Sequence, residues 1–337
     1  MKILLLTPGP VELHRGPNAT VQRYREGLQR RGHLCELFGD RDDGDLKQSL
    51  EGTLARFRPD LVHAHDAWRT GMQLLGLQIP WVVSVRGDDI FTDIKHPVHG
   101  PHVWSLLPPT TTTSLRLCDL SGLVEELVPD TVGQIDVVPR ASLPLPTGGT
   151  DLRRSLGIPR NRLLLLLPGG LRPIKGQARA LPVVDILRRH GIDAELVLVG
   201  PEQDPEYAAE LRAMAADEPR IRILPSLSRE RMGATYMNAD VVLNTSEEEA
   251  MSLSILEAGL LGRPVVASSA AGNQELVRHR ETGLIFEDGE GLARCVLALC
   301  KNRSAAGALG VRMREDFKRR FDPEREVDRL LSSYAAA

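Results

Sequence analysis

Two carboxylates eight residues apart, Glu249 and Glu257, carry the spacing that most directly implies chemistry. They lie in Asn244-Thr-Ser-Glu-Glu-Glu249-Ala-Met-Ser252-Leu-Ser-Ile-Leu-Glu257-Ala-Gly-Leu-Leu-Gly262. A strand ends there, a loop carries Glu249, and a helix is predicted to begin near Ser252, a residue type that caps helix N-termini. The free N–H groups around Met251, Ser252, Leu253 and Ser254 would face an anion, and the helix dipole favours negative charge there. A diphosphate fits that position. If the intervening residues are helical, the two carboxylates stand roughly 12 Å apart at 1.5 Å per residue. That separation suits hydroxyls at opposite ends of an extended nucleotide sugar. The plainer reading is a capped helix with surface acids.

The second constellation is Gly169-Gly170-Leu171-Arg172-Pro-Ile-Lys175-Gly176. Glycines let a ligand approach the backbone, and Arg172 and Lys175, three residues apart, form a cation pair suited to a diphosphate. Alone it would be a generic basic turn. As solvated cations the two would contribute little to folding stability. His63-Ala-His65-Asp66 places two imidazoles on one face of a strand, but no third ligand stands at metal spacing.

Short apolar runs alternating with amphipathic stretches must position these groups. Lys2–Thr7, Leu34–Phe38, Leu61–Ala64, Trp81–Val85 and Ile135–Val138 read as strands, with a helix over Asn18–Arg31. The rhythm then restarts. Strands are predicted at Leu163–Leu167, Glu195–Val199, Ile221–Leu224, Val241–Leu243 and Pro264–Ala267, and helices at Gln177–His190, Pro205–Ala216, Arg229–Asn238 and Ser252–Gly262. Apolar strands between helices predict parallel sheets covered on both faces. The expected fold is α/β, with two Rossmann-like, doubly wound domains facing across a cleft: 1–145, 150–315, and a C-terminal helix over 316–337 returning to the first. The Pro/Gly-rich Leu143–Gly149 reads as the linker.

Composition excludes several classes. The chain has 337 residues, about two domains' worth at ~150 each, and a formal net charge of −3. Hydrophobic residues at 42% and charged residues at 26% are incompatible with a disordered chain. A nucleic-acid partner is not expected without a basic excess. The longest apolar run, Cys295–Cys300, is far short of a membrane span, and no signal peptide is evident. Four cysteines without CxxC spacing read as free thiols in a reducing cytoplasm. No GxGxxG follows the first strand, and there is no P-loop or HExxH. Arg23, Arg25, Arg30 and Arg31 cluster on the first helix. With Glu26 among them they read as a solvated face rather than a membrane-docking one.

On these motifs the second half resembles the group-1, retaining glycosyltransferases of the GT-B fold (glycosyltransferase family 4-like). Their E-x7-E motif matches Glu249 and Glu257, and their diphosphate clamp matches Arg172 and Lys175. Gly262-Arg-Pro264-Val-Val-Ala267, Gly272-Asn273-Gln-Glu275 and Thr282-Gly283-Leu-Ile-Phe286 continue the pattern, and Gly16, Asn18, Thr20 and Gly32-His33 extend it into the first half. Within the family, the Gly16–Arg23 and Gly169–Lys175 segments are most similar to a subgroup with the animal glycosyltransferase-group-1-domain-containing proteins and the selenosugar synthases. Two departures stand out. Ala250 replaces the Gly that often follows the first Glu, and Ser84-Val-Arg86-Gly87-Asp88-Asp89 replaces a loop that often carries a His.

The resemblance implies a hexosyltransferase-type enzyme, independent of metal and cofactor, that uses a nucleotide-diphosphate sugar, here taken as UDP-linked, with retention. Arg172, Lys175 and the helix start would stabilise the leaving diphosphate; Gly170 would sit beside it. Glu257 would hold the ribose and Glu249 the sugar. A small-molecule acceptor, anionic or phosphorylated given a cationic Arg86, would meet Gly16, Asn18, Thr20, Arg86 and Asp88. The alternatives are a nucleotide-sugar 2-epimerase on the same fold and a non-catalytic nucleotide-sugar binder.

Overall fold

The computed structural model describes residues 1–9, 11, 17–39, 46–85, 87, 89, 92–106, 114–118, 135–149 and 151–336. Its strands are β1 Lys2–Thr7, β2 Leu34–Gly39, β3 Leu61–Ala64, β4 Trp81–Val85, β5 Ser114–Cys118 and β6 Ile135–Val137, then β7 Leu163–Pro168, β8 Ala194–Val199, β9 Ile221–Leu224, β10 Val241–Asn244, β11 Val265–Ser268 and β12 Leu284–Phe286. The helices are α1 Pro17–Arg30, α2 Leu46–Phe57, α3 Gly100–Leu106, α4 Leu152–Leu156, α5 Leu181–Arg189 and α6 Pro205–Ala215. They continue with α7 Arg229–Asn238, α8 Leu253–Leu260, α9 Ala271–Leu276, α10 Gly289–Lys301, α11 Arg303–Arg320 and α12 Pro323–Tyr334.

Two units result, Met1–Ala141 with Phe321–Ala337, and Ser142–Arg320. Each holds one six-stranded sheet, ordered β2-β1-β3-β4-β5-β6 and β12-β11-β10-β7-β8-β9, and the strand pairs are parallel. The sequence explains why. β7 reads LLLLLP and β8 AELVLV, and every residue of both is buried, as in strands covered on two faces. Each fully buried Leu contributes roughly 1.5–3 kcal/mol. The one carboxylate inside β8, Glu195, is met by Arg162 at 2.8 Å and by Arg222 of β9. In the second unit the order reverses between β7 and β10, and such a reversal is where α/β sheets bind ligands.

Three expectations are corrected. The stretch Gln177–His190 is not one helix: a 3-10 turn over Gln177–Ala180 precedes α5. Pro182 lacks an N–H and fits only the first turn of a helix. By the same physics Pro323 divides the C-terminal helical segment, with Asp322 capping α12 through the N–H groups of Glu324 and Arg325. Third, the basic cluster of α1 is only in part a solvated face: Arg30 is exposed, whereas Arg23 is drawn into the core. Arg23 makes a two-bond pair with the buried Glu326 of α12 at 2.9 and 2.8 Å, and Glu326 also accepts the Ala141 N–H at 3.0 Å. Arg30 and Arg31 meet Glu324 at 2.8 and 2.9 Å, and Arg31 meets Asp328 at 2.6 Å. The basic face of α1 thus matches the acidic face of α12, and with Val327 and Leu330 packed beside Val21 and Leu28 the helix belongs to the first unit's core.

Candidate functional site

At the point where the strand order reverses, the second unit contains a cavity of about 280 Å³. The C-terminal ends of β7, β8 and β10 supply Pro168, Val199 and Asn244 to its wall. Gly170, Lys175, Glu249, Ser252, Leu253 and Glu257 line it together. Glu249 and Glu257 reach it from the loop after β10 and from the second turn of α8, so the eight-residue spacing does bring both to one cavity.

Helix α8 begins at Leu253, one residue after Ser252, whose hydroxyl accepts the Ile255 N–H at 3.4 Å while its carbonyl accepts from Leu256 at 3.1 Å. The helix geometry then offers no acceptor to the N–H groups of Leu253 and Ser254, and both residues line the cavity. The amides left without a helical acceptor at the cavity wall are therefore those of Leu253 and Ser254, the last two of the four residues Met251–Ser254 read from sequence. The Met251 side chain is buried apolar surface.

A chain of buried amides and hydroxyls fixes this helix start. Asn273 donates to Asn244 at 3.0 Å and to the Ser268 hydroxyl at 2.9 Å. Asn244 donates to the Ser252 hydroxyl at 2.8 Å. Helix α9 approaches closely because residue 272 is glycine: a β-carbon there would lie 1.6 Å from the Ala250 carbonyl oxygen. Gly272 N–H donates to the Glu249 carbonyl at 3.0 Å, which holds the loop from below.

The two charged motifs meet. Lys175 Nζ donates to Glu249 Oε2 at 2.7 Å, and Ser246 Oγ donates to the same oxygen at 3.0 Å. The Lys175 carbonyl accepts from Thr245 at 2.9 Å. The turn can follow this path because Gly176 is left-handed at φ +57°, where a β-carbon would collide with the Thr245 carbonyl oxygen. Lys175 is therefore not the solvated cation expected from sequence: it is ion-paired with the buried Glu249. Glu257 accepts the Tyr236 hydroxyl at 2.9 Å. Burial, aided by the Glu257 charge, pushes the Tyr236 phenol well above its usual range, so it stays a donor. Tyr236 was not evident from sequence, since nothing in an isolated Tyr marks a partner 21 residues on.

Arg172 stands outside the lining of this cavity, half-buried at the start of the turn Pro173–Lys175, which closes through its carbonyl and the Lys175 N–H at 3.0 Å. The Gly170 carbonyl accepts from Gln177 at 2.8 Å. In the first unit, Asn18 and Thr20 are buried at the start of α1. Asn18 accepts from Thr7 at the C-terminal end of β1, and Thr20 accepts from Arg140 at 3.1 Å. Gly16, Arg86 and Asp88 lie outside the described residues. His63 is fully buried between Tyr334 and Ser84, each at 2.7 Å, and the His65 ring lies beside it, tilted by 35° with ring centroids 4.0 Å apart. Among the described residues no group of three or more His, Cys, Asp or Glu is placed to hold a metal ion, and no helix is long and apolar enough to cross a membrane. Cys35, Cys295 and Cys300 are free thiols.

Comparison with known proteins agrees with this geometry. Residues 162–302 match the family model described as glycosyl transferases group 1. The chain is 26% identical over 296 residues to "Glycosyltransferase 1 domain-containing protein 1" of Xenopus tropicalis, spanning 85% of this chain and 84% of that protein. It is 33% identical over 162 residues to a "D-inositol 3-phosphate glycosyltransferase" of Corynebacterium efficiens, spanning 45% of this chain but only 38% of that one. The crystal structure of Anabaena Alr3699/HepE in complex with UDP-glucose superposes with a TM-score of 0.79 over 99% of this chain and 100% of that one, at 20% identity. The chain carries a glycosyltransferase group 1 domain, has the GT-B fold and is a glycosyltransferase.

Proposed function

We propose that the chain transfers a sugar from a UDP-linked donor to an anionic or phosphorylated small-molecule acceptor, with retention at the anomeric carbon. The observation that carries this reading is the convergence of Lys175, Glu249, Glu257 and the α8 N-terminus on one cavity. In this reading the diphosphate lies against the N–H groups of Leu253 and Ser254, with the Lys175 ammonium balancing charge that grows as the bond to the sugar breaks. Glu257, oriented by Tyr236, takes the ribose hydroxyls. Glu249 takes the sugar hydroxyls while sharing Lys175, so the ion pair couples the two ends of the donor. Arg172 completes the clamp from the cavity's edge.

Charge stabilisation by Arg172, Lys175 and a helix terminus makes the proposed reaction metal-independent. The acceptor is assigned to the first unit near Gly16, Asn18, Thr20, Arg86 and Asp88. Asn18 lies beside the end of β1, where that sheet's own order reverses between β1 and β3. A relative named for D-inositol 3-phosphate supports a phosphorylated acceptor, and the complex of the Anabaena protein with UDP-glucose supports the UDP donor. A cytoplasmic location fits the free thiols. A thermal-shift screen across nucleoside diphosphates and nucleotide sugars tests the donor, because a ligand bound only to the folded state raises its stability. UDP and a UDP-sugar should raise the melting temperature; no shift with any uridine ligand at millimolar concentration would remove the donor assignment.

A further inference from the structure

The second unit contains another cavity, of about 410 Å³, at the opposite ends of the same strands. That volume falls within the roughly 300–1,000 Å³ of ligand pockets. Leu163 and Val241 open β7 and β10 into it, and the turn after α8, with α10 and α11, closes its sides. Three arginines line it, Arg263, Arg303 and Arg314. The carboxylate among the lining residues, Asp240, is already engaged by Arg153 at 2.6 Å and by the Leu164 N–H at 2.8 Å. The local charge is therefore strongly positive.

The Nε atoms of Arg263 and Arg314 are buried and have no hydrogen-bond partner. Arg263 otherwise reaches only the Met237 and Ala239 carbonyls, both at 3.4 Å. Arg314 lies over Gly262, next to Arg263, and its Nε faces Glu315 at 3.7 Å, an ion-pair contact too long for a hydrogen bond. Burial, together with the Arg314 charge, lowers the proton affinity of Arg263 despite Asp240. Two like charges held together with unmet donors are unfavourable unless an anion is shared between them. At the C-terminal end of α8 the Ala258 and Gly259 carbonyls are already capped by the Arg263 and Gly262 N–H groups, each at 2.9 Å.

We propose that this cavity binds a phosphate-bearing small molecule, with the phosphate between Arg263 and Arg314, Arg303 at the mouth, and the organic part against Leu261, Leu299 and Val311. The site is separate from the donor cavity and does not depend on the donor reading.

Thermal melts of the full chain at constant ionic strength test it, with phenyl phosphate and inorganic phosphate as probes and chloride as control. Phenyl phosphate near tenfold its dissociation constant should raise the melting temperature by roughly 2–5 °C, and more than inorganic phosphate does. Arg263→Gln and Arg314→Gln should each abolish the shift and, without probe, melt at or above the wild-type temperature because the repulsion is gone. Lys175→Met should keep the shift relative to its own baseline. Arg303→Gln, an exposed change that leaves the fold intact, should weaken the apparent affinity several-fold. A shift that survives in both Arg263→Gln and Arg314→Gln, or one that vanishes in Lys175→Met, would overturn the proposal. So would no shift in the wild type, or one no larger with the ester than with free phosphate.

Discussion

Replacing Lys175 by Met removes the ammonium but keeps most of the side-chain volume, and the structure sets the consequence. Glu249, with a side chain 9% exposed, would keep only the Ser246 hydroxyl on the oxygen that Lys175 now shares. Stripping the partner from a fully buried ion pair costs about 3–5 kcal/mol. Lys175 is 21% exposed at the cavity wall, so water partly replaces it, and a cost of ~1–3 kcal/mol is appropriate. For a unit of this size that corresponds to a melting temperature lower by roughly 2–12 °C. Turnover should fall on the order of 10²-fold, from lost stabilisation of the leaving diphosphate. Combining Lys175→Met with Glu249→Gln leaves no charge stranded, so most of the lost melting temperature should return while turnover stays low. Differential scanning fluorimetry paired with a nucleotide-release assay reads both quantities. Wild-type melting and turnover in Lys175→Met would refute the reasoning, and so would recovery of turnover in the double variant, which would make the pair purely structural.

Other consequences follow from the same contacts. Arg23→Met strands the buried Glu326 with the Ala141 N–H alone, and urea unfolding of the full chain should show the first unit weakened by about 3 kcal/mol. His63 is held neutral by burial, its pKa lowered to about 3 from 6.5. The unfolded chain therefore binds the extra proton between those values, and stability is full above pH 6.5 and lost as the pH falls toward 3, by up to about 1.4 kcal/mol per pH unit. Denaturant titrations at pH 7, 6 and 5 should show this slope, flattened in His63→Asn. Turnover should persist in excess EDTA; complete loss restored by added metal would contradict charge stabilisation by side chains and a helix terminus.

The elements legible in sequence were those with a short apolar run or a clear helix cap. Lys2–Thr7, Leu61–Ala64, Trp81–Val85 and Ile221–Leu224 match their strands to the residue, and Arg229–Asn238 runs as predicted from its Ser228 cap. Those overlooked carry mixed signals. Ser114–Cys118 has Arg116 at its centre and a threonine run before it, so it does not read as a strand. In Leu46–Phe57 the apolar residues recur at helical spacing, but only Leu50 is buried and polar residues fill the rest. The loop carrying Glu249 and the cap at Ser252 were visible because motif and cap chemistry are local. The Lys175–Glu249 and Arg23–Glu326 pairs were not, since they join residues 74 and 303 positions apart, and only the fold decides which of many charges meet.

The central claim is that Glu257 serves the nucleotide end of the donor and Glu249 the sugar end. Their order on the chain, on either side of the α8 amides, requires an asymmetry that calorimetric titration with UDP and with UDP-glucose can read. Glu257→Gln should weaken both ligands by a similar factor, on the order of tenfold for one lost charge-assisted bond. Glu249→Gln frees the Lys175 ammonium for the diphosphate, so UDP should bind at least as tightly while UDP-glucose alone is weakened. Equal losses for both ligands in both variants would show that the two glutamates merely support the fold, and the assignment of the site would fail.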